Sequence, residues 1–180
     1  MRSKKIAIFG GSFDPPHLGH LEIIKKALDQ LDIDRLIVVP AFISPFKKGH
    51  SAPPQQRLAW LKKMTADDPR IEVSDIEVQK GGASYTIETV NYFSQFFDTI
   101  YLIIGADNLK SLHKWHRFEE LNQKVHWVVA TRNGEEIPDG YIKLPVDQPI
   151  SSTQLRHAID PAWIPESIRH EVLQFYKEYH

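Results

Sequence analysis

Lys5-Ile6-Ala7-Ile8-Phe9-Gly10-Gly11-Ser12-Phe13-Asp14-Pro15-Pro16-His17-Leu18-Gly19-His20 reads as a buried strand that gives way to a helix across a short junction. Residues 5–9 are largely apolar on both faces, as a strand covered by helices on each side requires. Phe9 reads as the end of the strand, Gly10-Gly11 permits a tight turn with close backbone approach, and Asp14-Pro15-Pro16 leads into a helix over residues 18–31. On that helix Leu21, Ile24, Leu28 and Leu31 form one stripe, with Glu22, Lys25, Lys26 and Asp29 turned elsewhere. Similar strand patterns recur at residues 36–39, 71–73, 100–104 and 125–129. Helical patterns fall at residues 54–64, 86–97, 118–123 and 165–179. This alternation predicts an α/β doubly wound parallel sheet, with ligands bound outside the carboxyl ends of the strands at a topological switch point. Residues 40–54, rich in Pro, Ser, Gly and Lys, read as a mobile loop over that edge.

A length of 180 residues predicts one domain, 1–180, large enough to bury a core without metals or cross-links. The chain has no cysteine, which removes disulfides, thiolate nucleophiles and cysteine-ligated zinc. The apolar run Ile6-Ala7-Ile8-Phe9 is too short for a signal-peptide core or a membrane span, so a soluble, cytoplasmic protein is expected. A formal net charge of -1 speaks against bulk capture of nucleic acid. Any anion site must be local.

The junction after the first strand is neither a dinucleotide fingerprint, whose glycines are spaced G-x-G-x-x-G, nor a P-loop, which needs a following Gly-Lys-Ser/Thr. Instead it carries His17-Leu18-Gly19-His20, two imidazoles three residues apart. On the first turn of a helix they share a face with unpaired N–H groups and the positive end of the helix dipole. A phosphate resting against that backbone would receive hydrogen bonds from both rings. Two plainer readings stand beside this one. One histidine caps the helix while the other packs in the core, or the rings bind a metal, for which His113-Lys114-Trp115-His116 supplies a second pair. Zinc normally takes three or four protein ligands, and neither pair has a ligand-rich cluster in its neighbourhood.

Toward the other end, Ile150-Ser151-Ser152-Thr153-Gln154-Leu155-Arg156 places Ser and Thr at a helix start, with Arg156 one turn inside. From there Arg156 would reach back over the N-terminus as a planar bidentate donor to phosphate. Taken alone, the pattern also describes an ordinary capped surface helix.

Together, the Gly10-to-His20 and Ile150-to-Arg156 segments resemble the signatures of the nucleotidyltransferase superfamily with its H-x-G-H element. Within that superfamily, Ser84-Tyr85-Thr86-Ile87-Glu88-Thr89, Ile104-Gly105-Ala106-Asp107, Trp115 and Ala130-Thr131-Arg132 resemble the bacterial nicotinate-mononucleotide adenylyltransferases, so the likeness covers nearly the whole chain. It implies a Rossmann-like sheet with a short C-terminal helical portion. The implied reaction is attack by the phosphate of nicotinate mononucleotide on the α-phosphate of ATP, giving deamido-NAD and pyrophosphate. Mg²⁺ is expected with the triphosphate, held by phosphate oxygens and water rather than by protein side chains.

By the family pattern His17 and His20 are catalytic, and Gly10, Gly11, Ser12, Phe13, Gly105, Asp107, Ser152, Thr153 and Arg156 join them in binding ATP. Lys47, Thr86, Trp115, His116 and Arg132 are expected to bind the mononucleotide, Trp115 by stacking and the amides of Thr86 and His116 by meeting the ring carboxylate. Two departures from the pattern stand out. Ser44-Pro45-Phe46-Lys47 lacks the loop histidine often found there, and Ser12 replaces the commoner Thr while keeping the hydroxyl. Phosphopantetheine adenylyltransferase shares the ATP grip but usually carries Thr at the first histidine, so His17 and Trp115 count against it. A nucleotide-binding regulator without turnover is the alternative from another class.

Overall fold

A computed structural model describes residues 4–42, 52–131, 136–146 and 160–178. Within them, β1 (Lys5–Gly11), β2 (Arg35–Pro40), β3 (Ile71–Val73), β4 (Thr99–Gly105), β5 (His126–Thr131) and β6 (Ile142–Pro145) form one sheet in the order β3-β2-β1-β4-β5-β6. Each pairing is parallel. The chain winds outward from β1 through β2 to β3, then returns to β1's other side and continues through β4 to β6. Connections therefore diverge between the ends of β1 and β4, where such sheets open a ligand crevice. The fold is the expected α/β, Rossmann-like doubly wound sheet.

Strand residues alternate between two buried layers. Ala7, Phe9, Leu36 and Val38 face Ile24 and Ala27 of α1 (Leu18–Gln30), Leu61 of α2 (Pro54–Met64), and Ile168 and Val172 of α6 (Glu166–Glu178). Ile6, Ile8, Ile37 and Val39 face Ile87 and Val90 of α4 (Thr86–Phe93) and Leu121 of α5 (Phe118–Lys124). With both faces covered, the central strands need apolar residues at every position, which is what made them legible as continuous runs. The C-terminal α6 belongs to the first layer: Phe175 packs edge-on against Trp60 at 5.6 Å. No helix among the described residues is long and apolar enough to cross a membrane.

Two expectations need correction. The strand expected to end at Phe9 runs on through Gly11, with Gly10 opposite Val39 and Gly11 opposite Pro40, so the turn that the glycines permit is not made there. The left-handed residue comes later, at Phe13 with φ 52°, followed by a cis Asp14–Pro15 bond. The helix expected to reach residue 97 stops at Phe93, where the Ser94 hydroxyl bonds back to the Asn91 carbonyl at 2.9 Å. Two elements also carried no periodic signal: the five-residue α3 (Ile76–Lys80) and edge strand β6, in which only Leu144 is buried.

The two-layer core predicts that Ile37→Ala, at a position with no exposed surface, lowers unfolding free energy by about 3 kcal/mol. Urea denaturation checks this, and a loss below about 1 kcal/mol would contradict such packing.

Candidate active site

The crevice between the ends of β1 and β4 is a cavity of about 320 Å³. Gly10, Gly11 and Gly105 form part of its floor, and Glu77, Thr86, Thr89, Asn108 and Trp115 stand around it. Small residues at the strand ends leave room for a ligand to approach backbone. A Cβ on Gly105 would sit 2.7 Å from Asp107 Oδ1, so the glycine also seats the exposed Asp107 carboxylate in the turn after β4.

His17 is the N-cap of α1, with extended φ and ψ of -144° and 177°. Its Nδ1 accepts from the amides of Gly19 at 3.0 Å and His20 at 3.4 Å. In return, His17 N donates to His20 Nδ1 at 3.1 Å, a capping box built from two imidazoles. The rings stack with centroids 3.7 Å apart and an interplanar angle of 21°. Since both Nδ1 atoms accept N–H groups, the ring proton of each neutral histidine sits on Nε2. Capping thus uses the Nδ1 edge of both rings. One detail of the expected anion site changes: the Gly19 and His20 amides, expected to face an anion, donate to His17 Nδ1.

Phe13 positions this pair from below. Its ring, 2% exposed, lies edge-on to Phe9 at 5.3 Å and to His20 at 4.8 Å. A side chain so buried is a support for His20, and only the backbone of Phe13 is left to meet a ligand. Its left-handed conformation, costing about 1–2 kcal/mol, turns the ring inward.

The junction is fastened by residues that sequence reading did not assign to the site. Asp14 Oδ1 accepts from Ala52 N at 2.9 Å and from the Tyr176 hydroxyl of α6. Arg57 of α2, fully buried, donates from Nη1 to Ser12 O at 2.7 Å and from Nε to Ala52 O at 3.1 Å. Burial pulls the Arg57 guanidinium below its usual range, opposed by the charge of Asp14. One signal for Arg57 was available, a charge on the stripe of α2 that also carries Leu58, Leu61 and Met64. Asp14 lay inside the quoted motif. Tyr176 had no local signal, since its partner lies 162 positions away.

On the acceptor side, Thr86 opens α4 and Trp115 is half-buried, edge-on to Trp127 at 6.1 Å. His116 is exposed and stacks on Tyr85 at 4.2 Å, which links the two segments that follow one another around the cavity. The structure therefore brings together Gly10, Gly11, Gly105, Thr86 and Trp115 on one cavity, with Ser12 exposed where the junction begins. Lys47, Arg132, Ser152, Thr153 and Arg156 lie outside the described residues. Among those described, no group of three His, Asp or Glu side chains is arranged to hold a metal ion.

Comparison with known proteins bears on the same residues. The cytidylyltransferase-like family matches residues 8–158. A protein of Nitratiruptor sp. named probable nicotinate-nucleotide adenylyltransferase is 46% identical over 175 residues, covering 96% of this chain and 99% of that one. One of the same name from Sulfurimonas denitrificans is 47% identical over 97% and 96% of the two chains. This chain belongs to the nicotinate-nucleotide adenylyltransferase family. In solved structures the fold recurs in Plasmodium falciparum nicotinic acid mononucleotide adenylyltransferase complexed with NaAD, at TM-score 0.74 and 19% identity, covering 98% of this chain and 96% of that one. The doubly wound sheet that carries the crevice is thus a fold this chain shares with that structure.

The bond from α6 to the junction gives a prediction. Tyr176→Phe, which removes one donor to a buried carboxylate, should cost about 2 kcal/mol of stability in urea unfolding. An unchanged midpoint would show that α6 does not fasten the loop.

Proposed function

We propose that this chain, acting as one domain of residues 1–180, transfers the adenylyl group of ATP to nicotinate mononucleotide. The products are deamido-NAD and pyrophosphate, a step of NAD biosynthesis. The observation that carries the mechanistic reading is the His17–His20 pair, whose Nδ1 edges are spent on the helix start and whose Nε2–H edges are fixed for donation. A phosphate oxygen of the mononucleotide attacks the α-phosphorus in line. As that P–O bond forms, the bond from the α-phosphorus to the bridging oxygen breaks and pyrophosphate departs with the electron pair. No enzyme nucleophile takes part, so rate comes from positioning and from donors aimed at developing charge.

His17 and His20 supply two such donors. Gly10, Gly11, Ser12 and the Phe13 backbone line the ATP phosphates, and Asp107 with Gly105 takes the adenosine ribose. Ser152, Thr153 and Arg156 hold the leaving β and γ phosphates. Thr86, Trp115 and His116 take the nicotinate ring, and Lys47 and Arg132 neutralise phosphate charge. Mg²⁺ accompanying ATP would be held by phosphate oxygens and water rather than by protein side chains, and would supply Lewis-acid neutralisation of the triphosphate. The proposal includes a cytoplasmic location, beside the cell's ATP.

Because His17 also caps α1, His17→Asn is a cleaner test than alanine: Asn is among the strongest N-caps but cannot present the imidazole Nε2–H. Pyrophosphate release from Mg·ATP should be supported by nicotinate mononucleotide and not by phosphopantetheine. The variant should turn over about a hundredfold more slowly while unfolding at a similar denaturant concentration. Near-normal turnover in His17→Asn would remove that residue from the chemistry.

A further inference from the structure

Glu77 lines the acceptor side of the cavity from α3. Its Oε2 accepts from the Thr89 hydroxyl of α4 at 2.7 Å, a neutral donor. Among the described residues, the cation that acts on it is Lys80, one turn further along α3, whose Nζ donates to Glu88 of α4 instead. Other carboxylates in the protein are treated differently. Asp68 bonds Arg70, Glu88 bonds Lys80 and Glu120 bonds Arg117, and each is held below its ordinary range chiefly by that partner. Burial instead pushes the Glu77 carboxyl up, with the Thr89 hydroxyl and Lys80 pulling it back and Glu88 adding to the rise. Among the described residues, the others that line the cavity, Gly10, Gly11, Gly105, Asn108 and Trp115 included, carry no charge.

An ionised carboxylate so placed destabilises the fold, because the native state holds its proton more tightly than the unfolded chain does. The penalty grows as pH rises from the unfolded pKa through the raised one. A glutamine would satisfy Thr89 equally well without that cost. The negative charge therefore suits something that enters the cavity.

We propose that Glu77 is the counter-charge to the cationic pyridinium ring of the acceptor mononucleotide, and so favours charged-ring nucleotides over those with a neutral ring. This rests on the reading of the acceptor as a pyridine mononucleotide. The ring nitrogen of such a nucleotide is quaternary, and a half-buried carboxylate attracts it far more strongly than one in bulk water would. The ring's own carboxylate must then point away from Glu77, which fits its expected partners, the amides of Thr86 and His116.

The test is Glu77→Gln, which keeps the size of the side chain and an acceptor for Thr89. Wild-type pyrophosphate release with Mg·ATP and nicotinate mononucleotide is measured first, because its absence would overturn the functional reading and this inference with it. Given wild-type turnover, the variant should show KM for the mononucleotide raised about tenfold, with KM for ATP unmoved. The ratio of variant to wild-type KM should fall toward one as pH drops through the Glu77 titration, a comparison in which the substrate phosphate's own titration cancels. The 1,4-dihydropyridine form of the mononucleotide, with a neutral ring, should bind wild type and variant alike in calorimetric titration. The variant should also be more stable than wild type in urea at neutral and higher pH. A mononucleotide KM that is unchanged at every pH, or lowered, would overturn the inference while leaving the functional reading intact.

Discussion

Three amide-to-imidazole hydrogen bonds fix the two histidines at the head of α1. His17 Nδ1 receives the first free amides of α1, and His20 Nδ1 receives the amide of His17. Helix ends must satisfy their unpaired N–H groups, and side chains that do so are oriented within narrow limits. Here the residues that meet this need are also the proposed phosphate donors. On the proposed reading, preorganisation of the two Nε2–H groups is a by-product of starting a helix, so the pair would be aligned before any nucleotide arrives.

The rest of the structure serves that junction. β1 brings Gly10 and Gly11 to the crevice while still paired with β2. Phe13 fills the space beneath His20. Asp14, Arg57 and Tyr176 tie the loop to α2 and α6 through buried polar contacts, whose removal leaves unpaired groups in a low-dielectric interior. Helices far apart in sequence thus converge on a few residues after β1, and the C-terminal helix acts as a strut for the opposite end of the chain.

How much of this was legible depended on how local each cause is. Four of the strands showed because burial on both faces writes a continuous apolar run, while edge strand β3, with Glu72 exposed between Ile71 and Val73, showed only by its β-branched residues. β6 did not, because at a sheet edge only Leu144 needed to be apolar. The two histidines were visible by spacing, and their opposing tautomer constraints were not, since these depend on the extended φ and ψ of His17. Gly10-Gly11 suggested a turn because glycine permits one. The sheet used the same glycines for close approach, and a buried Phe13 made the turn. Tyr176 and Glu77 could not be found in the sequence, because each acquires its role from a partner or a cavity assembled by the fold. The acceptor side was reached by family resemblance more than by periodicity, with Thr86 and Trp115 meeting on one cavity.

Nitrogen-edited NMR of the imidazole rings, with His17 and His20 assigned by single substitution, tests the central claim most directly. Both rings should be protonated at Nε2 and unprotonated at Nδ1 in the free protein, and Mg·ATP should shift the two Nε2 signals. A proton on Nδ1 of either ring, or Nε2 signals that stay put at saturating Mg·ATP, would contradict the account.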